Sequence, residues 1–150
     1  MQVTKIATPS DVESLVFDDL IPYNSNLMEG FKAFDLPGIG AKIHGVIGGS
    51  GPPLLLIHGN PLTHVTWHKI TPTLAKHYTV VAIDLRGYGD SEKPLGGGDH
   101  SDYSFRTMAN DAVQVMQELG YSKFPVVGHD RGARVGFRMS LDHPDKVTHL

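Results

Sequence analysis

The chain has 150 residues, of which 40% are apolar and 19% charged, and its formal net charge is −3 with histidines neutral. That length suits one domain or part of one, and the composition suits a globular chain rather than a disordered one. The mildly acidic balance offers no bulk positive field for nucleic acid or acidic lipid, and the lack of cysteine excludes disulfides, thiolate metal sites and a cysteine nucleophile.

Residues 1–28 are polar and weakly patterned, and read as an N-terminal arm ahead of a core that runs over 29–150. The opening MQVTKIATPSDVESLVFDD has no apolar stretch of signal-peptide length, and the longest aliphatic run, Leu54 to Ile57, is far too short to cross a bilayer. A cytoplasmic protein with no membrane partner is expected. GFKAFDLPG (30–38) and AKIHGVIG (41–48) predict two strands joined by a Pro-Gly turn. After the tight loop GGSGPP, the apolar run LLLIHG predicts a strand buried on both faces.

THVTWHKITPTLAKH (63–77) carries a mixed helical pattern that Pro72 is expected to kink or interrupt. YTVVAIDLRGYG reads as a second buried strand running into a glycine-rich turn, and PLGGGDHSD (94–102) as a flexible loop. From Ser104 a helix is predicted, with Phe105, Met108, Ala109, Ala112, Val115, Met116 and Leu119 on one face and Gly120 as its stop. FPVVG (124–128) predicts a third buried strand, RGARVGFRMSLDH a helix ending before Pro144, and 146–150 the approach to another strand. The order predicts a mostly parallel α/β sheet with an antiparallel start. Nine histidines are many, but His58, His64, His68 and His77 stand at mixed spacings with no evident carboxylate partner. No metal and no cofactor are expected.

Gly128-His129-Asp130-Arg131-Gly132 lies between a predicted strand and a predicted helix, the context of a nucleophile elbow. Glycines are needed where side chains at the flanks would strike the neighbouring strand or helix. The middle residue is then held in a strained conformation above the sheet edge. Serine there would attack acyl carbon. Aspartate is an anion at neutral pH and can displace a leaving group from saturated carbon, giving an enzyme ester, so the expected substrate is an alkyl halide or epoxide. Hydrolysis of that ester needs an oxyanion hole. In the fold that carries such an elbow, the backbone N–H of Arg131 is expected to supply one donor and HGNP (58–61) the other through Asn60, since Pro61 has no N–H. Arg131 and Arg134 are three apart on a helix start and can share a face, where two guanidiniums grip a carboxylate and hold Asp130 ionised. Arg138 reads as structural. Asp84, Arg86 and Ser91 read as fixing a turn, His58 as bracing a loop, and Trp67 as core.

HGNP, DLRGYGDSEKP, YSFRTMANDAVQVMQELG and VVGHDRGARVGFRMSLDHP resemble the α/β-hydrolase superfamily, and within it the fluoroacetate (haloacetate) dehalogenases. The resemblance runs from about residue 38 to 150 and is most specific from Asp84 to Pro144. It implies an α/β-hydrolase fold, Asp130 as nucleophile, and Arg131 and Arg134 as ligands of a substrate carboxylate. Asn60 departs from it. Fluoroacetate enzymes generally carry an aromatic residue there, whereas HGNP is more typical of haloalkane dehalogenases, whose asparagine helps hold the halide; Asn60 is accordingly expected among the substrate-binding residues with Arg131 and Arg134. Those enzymes and epoxide hydrolases usually place tryptophan directly after the nucleophile, where this chain has Arg131. A cation there is costly without an anionic partner, which favours a haloacid substrate.

In this fold the triad acid and histidine follow the nucleophile in sequence, so both are expected beyond Leu150, as is the halide-binding cap. Residues 1–150 are therefore read as an N-terminal half, expected to be inactive alone. The reading is a hydrolytic haloacid dehalogenase acting on a small molecule. An epoxide hydrolase or haloalkane dehalogenase on the same ester route, and a non-catalytic hydrolase-like binding module, are the alternatives. Homodimer formation is left open.

Overall fold

The computed structural model describes the backbone of residues 21–22 and all of residues 27–150. Strands β1 (Ile21–Pro22), β2 (Lys32–Pro37), β3 (Lys42–Gly49), β4 (Pro53–Ile57), β5 (Thr79–Ile83) and β6 (Val126–Gly128) form one sheet in the order β1-β2-β3-β5-β4-β6. From β1 to β5 each neighbour in that order is antiparallel, and β5, β4 and β6 run parallel. The antiparallel start and parallel continuation therefore follow the expected pattern, and the fold is an α/β-hydrolase fold. Of the expected N-terminal arm, Ile21–Pro22 pair with β2, and the rest up to residue 26 lies outside the described residues.

β5 is buried at all five positions because it lies inside the sheet with a layer on each face. Alternation then sorts the side chains. Leu55, Ile57, Val81 and Ile83 join Met108, Ala112, Val115, Met116, Val135 and Met139 in the larger core. Leu54, Leu56, Val80 and Ala82 face the other way, against Met28 and Phe31, with Trp67 and Leu74 packed beside them.

Helix α2 (Phe105–Glu118) follows its expected bounds: Ser104 caps it by accepting from Thr107 N, and Gly120 adopts φ 84° beyond its end. The expected helix over 63–77 is instead a 3-10 turn, His64–Trp67, followed by the short helix α1, Thr71–Leu74. Pro72 sits in the first turn of α1, where its missing N–H leaves no helical bond unmade. The strand expected over 124–128 narrows to Val126–Gly128. Pro125 has no N–H to give, and Phe124 instead bridges to Val147 in parallel. Val126 N bonds His149 O and Thr148 N bonds Phe124 O, so residues 146–150 run strand-like beside β6 as expected.

Candidate active site

The elbow begins where β6 leaves the sheet. His129 N donates to Ile57 O at 3.1 Å, tying the turn to the end of β4. Asp130 then takes φ 51° and ψ −113°, a positive φ at a non-glycine residue, and helix α3 (Arg131–Asp142) starts immediately. Such a conformation costs about 1–3 kcal/mol and persists only where surrounding contacts impose it. Here Ala133 N and Arg134 N both donate to Asp130 O, at 3.1 and 3.3 Å. Both flanking glycines are required by space. A Cβ on Gly128 would lie 2.5 Å from Gly132 O, and one on Gly132 would run into the carbonyls of Ile57 and His58.

The exposed Asp130 carboxylate faces the loop after β4. Asn60 N donates to Asp130 Oδ2 at 2.9 Å, and the Arg131 N–H beside the carboxylate also favours its charged form. These are the two donors expected of an oxyanion hole. The Asn60 N–H, then the Arg131 N–H, hold the carboxyl below the ordinary aspartate range. Slight desolvation opposes them, and the charges of Arg134 and His129 add to them.

The two arginines are placed differently. Arg134 is exposed and its charge acts on Asp130. Arg131 is half-buried, and its guanidinium carbon lies over the Phe105 ring, 5.7 Å from the centroid. Its backbone N–H, not its side chain, is what supports the Asp130 anion. Arg138 is spent elsewhere, in an ion pair with Asp142 that Arg106 also joins.

Two loops behind the site are locked together. His58 is fully buried; its Nε2 accepts from Leu85 N at 3.0 Å, so the ring proton sits on Nδ1 and donates to Gly59 O at 2.8 Å. Burial lowers its pKa, in keeping with that neutral form. Asp84 accepts from His64 N at 2.7 Å, from His64 Nδ1 at 2.9 Å and from Asp90 N at 3.0 Å. Burial works against its ionisation, but the hydrogen bonds and charge of His64 outweigh it and lower its pKa. Ser91 Oγ donates to Asp84 O, and Arg86 is buried against Asp111, so these three residues fix the turn after β5. Trp67 packs against the second core cluster.

Three neighbours escaped sequence reasoning. Asp84 is the carboxylate partner of His64, twenty residues away in sequence. Tyr88 Oη donates to Asn60 Oδ1, and Phe105 seats Arg131. All three are contacts between loops or helix starts, where no periodicity points from one residue to the other.

A strained aspartate between strand and helix, facing two convergent N–H groups, defines the chain's class: residues 52–150 match the alpha/beta hydrolase fold family, and the chain belongs to it. It is 52% identical over 124 residues to a fluoroacetate dehalogenase of Burkholderia sp, covering 83% of this chain and 41% of that protein. It is 46% identical over 111 residues to a soluble epoxide hydrolase of Corynebacterium sp. (strain C12), covering 74% and 37%. A crystal structure of a protein from Nostoc sp PCC 7120 superposes with a TM-score of 0.76 at 56% identity, covering 78% of this chain and 40% of that one. The chain thus spans about two fifths of the length of the curated relatives it matches.

Proposed function

We propose that this chain carries the nucleophile and oxyanion hole of a hydrolytic dehalogenase acting on short 2-haloacids such as haloacetate. One Asp130 oxygen attacks the carbon bearing the halogen, the carbon–halogen bond breaks, and halide leaves with the electron pair. Water then adds to Asp130 Cγ. The oxyanion that forms is held by the N–H groups of Asn60 and Arg131, donors worth on the order of 100- to 1000-fold each. Collapse releases the hydroxyacid and a proton and restores the carboxylate. Arg131 and Arg134 are the substrate's carboxylate ligands.

The observation that carries this reading is Asp130 itself: strained at φ 51°, exposed, bonded by Asn60 N, and held below the ordinary aspartate range by the N–H groups of Asn60 and Arg131. The resemblance to a fluoroacetate dehalogenase supports the haloacid. An epoxide hydrolase on the same ester route is the second reading, favoured by the resemblance to a soluble epoxide hydrolase. An isotope experiment on the full-length protein tests the chemistry. One turnover of haloacetate in ¹⁸O-water is expected to yield unlabelled glycolate and label on Asp130. Label in the first-turnover product means that water attacks carbon directly, and the reading fails. Equal turnover of haloacetate and neutral haloacetamide keeps the ester route but rejects the haloacid.

A further inference from the structure

Arg131 follows the nucleophile directly in the chain, yet its guanidinium does not rest on it. A flexible cation beside an exposed carboxylate ordinarily collapses into an ion pair. Such a pair here would cover the attacking oxygens and use up the donors meant for substrate. Instead, the Arg131 guanidinium lies over the Phe105 ring, and among the described residues its side chain makes no hydrogen bond or ion pair.

The ring beneath it is fixed. Phe105 is the first residue of α2, directly after the Ser104 cap. Ser104 Oγ accepts from Thr107 N at 3.2 Å and lies 2.9 Å from Thr107 Oγ1, which itself donates to Ser101 O at 2.8 Å. The Phe105 side chain is half-buried and packs on the main core. It therefore offers a π face whose position the helix start and the core both set.

We propose that Phe105 is a positioning residue for substrate recognition: it holds the Arg131 guanidinium off Asp130 and leaves its N–H edge free for a substrate carboxylate. The inference rests on the haloacid reading. A guanidinium stacks through its face while its donors lie in its plane, so the aromatic contact and a bidentate grip on a carboxylate do not compete. Seating the side chain beforehand also removes rotamer freedom that binding would otherwise have to remove. Phe105 thus favours anionic over neutral substrates without touching either.

The test uses the full-length protein with chloroacetate and neutral chloroacetamide. For Phe105→Leu, KM for chloroacetate is expected to rise about 2- to 5-fold, the range of an exposed cation–π contact. Phe105→Tyr keeps the face and is expected to keep the parent KM. Turnover of chloroacetamide is expected to be unchanged in Phe105→Tyr and, in Phe105→Leu, to fall less than that of chloroacetate, because only the anionic substrate also loses its grip. In an Arg131→Gln background, Phe105→Leu is expected to add nothing, which a merely structural role would not produce. Should Phe105→Leu fail to fold, Phe105→Met fills similar volume without a π face and carries the same comparison.

If Phe105→Leu slows both substrates equally, or keeps its full effect without Arg131, the positioning role is overturned. If Arg131→Gln weakens chloroacetate but Phe105→Leu does not, the grip stands and the role of Phe105 falls. If Arg131→Gln leaves the chloroacetate KM unaltered, the grip falls, and this inference with it.

Discussion

Tyr88 Oη donates to Asn60 Oδ1 at 2.9 Å, so the turn after β5 sets the side-chain amide of the residue whose N–H holds Asp130. With its oxygen occupied, the amide turns its two N–H donors elsewhere. Tyr88 is steadied in turn by an edge contact with His58, whose ring joins the same two loops. Tyr88→Phe keeps the ring and removes one neutral hydrogen bond, worth about 0.5–1.5 kcal/mol. On the proposed dehalogenase reading, with the Asn60 amide donating to the leaving halide, inhibition by product halide is expected to weaken by up to about tenfold, with the fold intact. Halide inhibition equal to the parent's would show that the amide's orientation does not matter to the site.

The elbow depends on Gly132 more than on its sequence motif. A Cβ there meets the carbonyls of Ile57 and His58, which are main-chain atoms at the end of β4 and cannot swing aside. Gly132→Ala must push α3 away from β4 and carry Asp130 away from Asn60 N. Overpacking of this kind costs about 1–3 kcal/mol, and here it also displaces the proposed oxyanion hole. The expected result is a lower unfolding midpoint together with turnover reduced at least a hundredfold. A variant that is less stable but fully active would mean that the elbow tolerates the shift.

Much of this arrangement is legible in the residues, for physical reasons that can be named. Runs such as Leu54–Ile57 are buried on both faces, so hydrophobicity alone marks them. Helix α2 carries its cap, apolar face and glycine stop within a single stretch. Asp130 and Asn60 stand in short patterns whose backbone geometry is a local steric matter. What escaped was non-local or contested. Pro72 fits the first turn of a helix as well as it breaks one, so the split of 63–77 depends on how that segment packs against the sheet. Pairs such as His64–Asp84 and Arg131–Phe105 exist only once the sheet has brought the loops together.

Arg134 offers a separation of charge from shape. Its charge helps keep the Asp130 carboxyl below the ordinary aspartate value, after the N–H groups of Asn60 and Arg131. On the proposed ester route the reactive form is the anion, so ester formation should persist in mild acid and fall only as pH drops through that depressed value. Arg134→Gln removes one source of the depression, so the acid limb should move to higher pH, and KM for haloacetate should rise. Arg134→Lys keeps the charge and loses the planar fork: the limb should stay and KM should still rise. Because Asp130 is exposed, the displacement in Arg134→Gln should shrink in high salt. An acid limb that moves downward in Arg134→Gln contradicts the assignment.

The buried pair Arg86–Asp111 makes the strongest prediction for stability. Arg86 Nε and Nη2 donate to the two Asp111 carboxylate oxygens, each at 2.6 Å, and the remaining donors reach Asp102 O and Ile39 O. Ile39 N completes the set by donating to Asp111 Oδ1 at 2.8 Å. The pair thereby joins the β2–β3 turn, the turn after β5 and the face of α2. Its hydrogen bonds raise Arg86 above its ordinary pKa despite burial, so the guanidinium keeps its charge at any working pH. Asp111→Asn leaves that charge buried with no counter-ion, which costs about 3–5 kcal/mol. Replacing both partners, Arg86→Met with Asp111→Leu, leaves no stranded charge and should cost clearly less than the single change. Denaturant unfolding of the full-length protein measures both. If the double variant is the less stable of the two, the three backbone contacts of this pair outweigh its charges, and the pair acts as a hydrogen-bonded clasp rather than an ion pair.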